Sequence, residues 1–98
     1  MARLVFEARV ADYLTSIGEF IGRDNPGNAE RFIQKLETRC RKIAQAPFMG
    51  RTRDDLSPGL RSVVFGRYVI LYRASADEVL IVAIIHGARD IECALSAR

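Results

Sequence analysis

The chain has 98 residues, nearly half of them apolar, and 15 basic side chains against 12 acidic ones, all the basic ones arginine except Lys35 and Lys42. That length supports a single domain spanning residues 1–98, able to bury roughly 65% of its unfolded surface without metal or disulfide. The composition excludes a spanning helix, because the longest apolar run, Val79 to Ile85, is far short of the ~20 residues a bilayer requires.

Residues Arg3 to Phe6 read as a short strand. The stretch from Met1 to Glu7 is too short and too soon charged for a signal peptide, and Cys40 and Cys93 have neither metal-ligand spacing nor a second pair. A reduced cytoplasm is the expected compartment, and no cofactor or metal is expected. Val10, Leu14, Ile17 and Ile21, flanked by Tyr13 and Phe20, recur at helical spacing. Asn25 before Pro26 is a helix start, since Asn accepts an orphan amide and Pro sits where no donor is missed; Asn28 competes as the cap.

The second helix has the clearest pattern. Ala29, Phe32, Ile33, Leu36, Cys40, Ile43 and Ala44 make one apolar stripe, charged and polar residues fill the rest, and Pro47 ends it. The short connection predicts an antiparallel helical hairpin.

A Gly/Pro/Arg loop follows, turning at Pro58-Gly59. Leu60 to Phe65 and Arg67 to Arg73 are strand-like runs with a pause at Gly66 short enough for a hairpin, and Val79 to His86 is apolar on both alternate sets, as a strand covered on both faces reads. Asp90 to Leu95 is a short terminal helix or tail. The expected fold is α+β, in the order β-α-α-β-β-β. The helical hairpin packs on one face of a small, mainly antiparallel sheet, and the first strand takes an edge.

Cations concentrate between Arg39 and Arg67, where Arg39, Arg41, Lys42, Arg51, Arg53, Arg61 and Arg67 face only Asp54 and Asp55. Arginine favours flat bidentate contacts with carboxylate or phosphate, so an anionic partner surface is expected, of protein or nucleic acid. For Arg61, Arg67 and Arg73 the plainer reading is solvated or salt-bridged strand positions. Gly50, Gly59 and Gly66 read as tight-turn positions.

Several ordered blocks, Met49 to Leu56, Pro58 to Ser62, Gly66 to Arg73 and Ile85 to Ile91, resemble the ParE branch of the ParE/RelE superfamily of bacterial toxin–antitoxin toxins. The resemblance runs nearly the full length. It implies a growth-arresting toxin that inhibits DNA gyrase, and a ParD-like antitoxin that forms a hetero-oligomer with it and neutralises it. It also implies no sequence-specific DNA binding by the toxin alone. Arg51, Arg53, Arg61, Arg67 and Arg89 are the candidate target contacts. Tyr13, Ile17, Phe20, Phe32 and Leu36 are the candidate antitoxin surface, with a sheet edge open to a partner strand.

The RelE branch implies the alternative, a ribosome-dependent mRNA endonuclease. It would need phosphate clamps and a proton shuttle, for which Arg61 and His86 are the weak catalytic candidates. The set is incomplete: arginines replace the lysines expected in the loop, no tyrosine follows Tyr72, and arginine is too basic to give up a proton. Binding is therefore preferred to catalysis, and His86 reads first as a packing residue that shapes the Gly87 turn.

Overall fold

The computed structural model describes residues 2–87. Along them run β1 (Arg3–Phe6), α1 (Val10–Gly22), α2 (Pro26–Gln45), β2 (Arg51–Thr52), β3 (Leu60–Phe65), β4 (Tyr68–Ala74) and β5 (Glu78–His86). The strands form one five-stranded sheet in the order β1-β5-β4-β3-β2. β1 lies parallel to β5 at one edge, and every other pair is antiparallel. The α+β order is as expected, with β2 added. The terminal segment from Asp90 to Leu95, together with Arg89 and Cys93, lies outside the described residues.

Asn25, in an extended conformation, caps α2: its side-chain oxygen accepts from the Asn28 amide at 3.2 Å, with Pro26 in the first turn. Asn28 is thus the donor to the cap rather than the cap itself. At the other end Ala46 leaves the helical region, with φ −139° and ψ 74°, as the residue before a proline must.

Leu36, Cys40, Ile43 and Ala44 of α2 and Val10 and Ile17 of α1 are buried in one cluster with Val63, Tyr68, Ile70, Tyr72, Val79, Ile81 and Ile84 of the sheet. Full burial of a side chain such as Leu36 stabilises the fold by about 2 kcal/mol. A second cluster, Leu60, Leu71, Val82, Ala83 and Ile85, occupies the opposite face. The sorting on β5 depends on an irregularity, since Leu71 pairs with Ala83 but Tyr72 pairs with Ile81, passing over Val82. That bulge resets the alternation, so Val79, Ile81 and Ile84 face the helices while Val82, Ala83 and Ile85 do not.

The β3–β4 hairpin closes through Gly66 and Arg67, with Phe65 opposite Tyr68. Gly66 has φ +60°, the positive value a type II′ turn places at its first central residue. The same register puts Arg61 opposite Tyr72.

Candidate functional site

The loop from Ala46 to Gly59 is held against the sheet by two side chains that lie side by side on β3 and β4. The buried Tyr72 hydroxyl donates to the Pro47 carbonyl at 3.0 Å and accepts from the Gly50 amide at 2.8 Å. Arg61 donates through one guanidinium nitrogen to the carbonyls of Phe48, at 3.1 Å, and Gly50, at 2.8 Å, and its guanidinium lies 5.1 Å from the centre of the Phe48 ring. Both residues thus satisfy loop carbonyls and amides that would otherwise lose their water on packing.

Gly50 serves close approach rather than a turn, a correction to its expected role. A Cβ there would stand 2.8 Å from Cε1 and 2.9 Å from Cζ of Tyr72, nearer than packed carbons tolerate. Burial pushes the Tyr72 phenol up from its usual range, opposed by the Gly50 hydrogen bond and the Arg61 charge. The group therefore remains a neutral donor.

The second half of the loop is built the same way. Asp54 accepts from the Gly59 amide at 2.8 Å. Arg73 reaches the Pro58 carbonyl at 2.6 Å and the Ser57 hydroxyl at 2.7 Å. Arg53 grips Asp55 through two nitrogens, at 3.2 and 3.1 Å, and this hydrogen bonding holds the Asp55 carboxyl below its ordinary range. Among the described residues, Arg61 and Arg73 have no carboxylate partner. The salt-bridged reading of these strand arginines therefore gives way to backbone and hydroxyl contacts.

The five candidate target contacts separate accordingly. Arg61 is half-buried and engaged internally, and Arg53 is paired. Arg51 and Arg67 are exposed, and their guanidiniums make no hydrogen bond or ion pair among the described residues. Arg89 lies outside the described residues.

His86 is exposed at the end of β5 and meets the Tyr68 ring edge-on at 5.3 Å. Arg61 and His86 do not converge. Arg61 is aligned through Tyr72 with Ile81, and His86 stands five residues further along β5, roughly 17 Å at the rise of a strand. The Arg61 guanidinium, moreover, turns toward the loop.

Of the candidate antitoxin surface, Ile17 and Leu36 are buried and offer no area to a partner. Phe32 packs on Phe65 and Tyr68, Tyr13 is half-buried between the two clusters, and Phe20 is 64% exposed. The sequence calls for an open sheet edge without saying which, and the residues that make one at β2 were missed. β2 covers only Arg61 and Ser62, so among the described residues β3 has no strand neighbour on that side from Val63 to Phe65; Val64 is exposed on it, and Phe48 and Met49 are exposed in the segment leading into β2. Its signal was the adjacent apolar pair Phe48-Met49 between Pro47 and Gly50.

Among the described residues no three His, Cys, Asp or Glu side chains cluster as a metal site, and no helix is long and apolar enough to cross a membrane.

The sequence model of the family described as "ParE toxin of type II toxin-antitoxin system, parDE" matches residues 4–91. The toxin RelE2 of Caulobacter vibrioides is 36% identical over 89 residues, covering 91% of this chain and 99% of that protein. Toxin ParE3 of the same organism is 29% identical over 66 residues, 67% of this chain, and the match spans 66% of the length of ParE3. The structure of the chromosomal ParDE toxin–antitoxin system from P. aeruginosa superposes with a TM-score of 0.76 at 20% identity, covering 89% of this chain and 97% of the matched one.

Proposed function

The chain belongs to the ParE toxin family of type II toxin–antitoxin systems, and on that premise we propose that it arrests growth in the cytoplasm by binding and inhibiting DNA gyrase, until a ParD-like antitoxin neutralises it. The observation that carries a binding mechanism is the separation of Arg61 from His86. Cleavage of RNA requires a base at the ribose hydroxyl and cations on the same phosphate, all within hydrogen-bond reach. Here the arginines nearest the loop hold carbonyls or a carboxylate, and Arg51 and Arg67 remain as exposed contacts for a protein surface. Gyrase supercoiling in the presence of the purified chain tests this.

The antitoxin surface fits two recognition modes: a helix against the outer side of the α1–α2 hairpin at Phe20, and a strand added to β3 beyond β2. Co-purification with a ParD-like protein, and its loss in a Phe20→Asp variant, tests the first.

The RelE reading has one observation in its favour, the near full-length likeness to RelE2. Mapping transcript 5′ ends after induction distinguishes it: codon-positioned cuts that vanish in His86→Ala would promote it over gyrase inhibition.

A further inference from the structure

The loop and hairpin do not account for the outward face of α2. A groove of about 510 Å³ runs along it, lined by Arg31, Lys35, Arg39, Lys42 and Phe65. With a turn of about 100° per residue, those four cations fall on one flank of the helix, while Glu30 and Glu37 fall on the other. Among the described residues none of the four is paired with a carboxylate. Arg31 gives one N–H to Asn28, and the Arg39 guanidinium lies 5.6 Å from the centre of the Phe65 ring. From Arg31 to Lys42 the row extends about 16 Å at the rise of an α-helix.

We infer that this groove binds single-stranded nucleic acid through its phosphate backbone, without reading sequence. A peptide docked in a groove is held by several apolar anchors, and this groove offers one aromatic ring among cations and the polar Gln34 and Thr38. Unpaired cations along a concave track are instead the arrangement that follows the phosphates of a single strand, with Phe65, packed on Phe32 and overlain by Arg39, holding that guanidinium in place. Arginine adds forked donors suited to phosphate oxygens. The inference stands apart from the gyrase reading, and its test contains no gyrase.

The test is fluorescence anisotropy of a short labelled DNA strand of mixed sequence, titrated with the intact chain over a range of salt. Four phosphate contacts give a log–log salt slope of about −3 for a single strand. Arg31→Gln, Lys35→Gln and Arg39→Gln together should weaken binding tenfold or more and bring the slope toward about −1. Glutamine keeps the helix, which thermal melting verifies. Phe65→Leu should weaken binding several-fold with the slope unchanged, and Arg23→Gln should leave both alone. No binding at low salt would overturn the inference, as would wild-type affinity in the triple variant. Tighter binding of the matching duplex would overturn it too, and equal binding of polyglutamate would reassign the groove to an acidic protein partner.

Discussion

The Tyr72 hydroxyl lies 2.8 Å from the Gly50 amide nitrogen and donates onward to the Pro47 carbonyl at 3.0 Å, so one buried phenol fixes the start of the loop. Tyr72→Phe leaves the Gly50 amide without its partner and should destabilise the fold by about 1–3 kcal/mol. Gly50→Ala forces a methyl against the same ring and should cost about 2 kcal/mol or more. Denaturant melts of the two variants check this. Because each change disturbs the same contact, the double variant should lose less than the sum of the singles.

Arg61 and the pair Arg51 and Arg67 should behave as different kinds of arginine. Arg61→Ala removes a half-buried guanidinium that holds two carbonyls and should destabilise by about 2 kcal/mol. Arg51→Ala and Arg67→Ala should leave the melting temperature within a degree or two, about what a surface change allows, while weakening growth arrest on induction. Equal loss of stability in all three would contradict the division.

Cys40 is fully buried, and burial, with Glu37 adding to it, pushes its thiol from 9.0 up to about 11. A folded value above the unfolded one means the stabilisation is complete below pH 9 and is lost as pH rises toward 11. The full loss amounts to about 2–3 kcal/mol. Tyr68 and Tyr72, also raised by burial, act in the same direction above the ordinary tyrosine range. Melting temperature should therefore fall across that window, and less steeply in Cys40→Ala than in wild type, although the variant starts lower at neutral pH because of the cavity.

His86→Ala should cost little in either stability or toxicity. The imidazole is exposed, with an edge-on contact to Tyr68, and aromatic pairs of this kind contribute about 1 kcal/mol. Growth arrest reduced more than tenfold in a variant that still melts normally would return His86 to a chemical role.

What was legible in the sequence was local. The stripe of α2, the Asn25 cap and the Gly66 turn each depend on residues within a few positions of one another, and a period or a single conformational demand reports them. On β4, alternation puts Tyr68, Ile70 and Tyr72 on one face, the one the helices cover, but which face that is depends on packing between distant segments, which no local period reports. β2 left no trace because two residues have no period; Arg51 and Thr52 are strand only because Ser62 and Arg61 lie opposite. Val82 could not be foreseen as a bulge, since an apolar run looks alike on both faces. Arg61 had no sequence mark of its internal role either, because its partners are backbone carbonyls 11 and 13 residues away, and every residue type supplies a carbonyl.

Supercoiling of relaxed plasmid by DNA gyrase, with the purified folded chain added in rising ratio, tests the central claim most directly. A gyrase-binding toxin should inhibit at a near-stoichiometric ratio, with the inhibition relieved by a ParD-like antitoxin and weakened by Arg51→Ala with Arg67→Ala. Unchanged supercoiling at a large molar excess would contradict it.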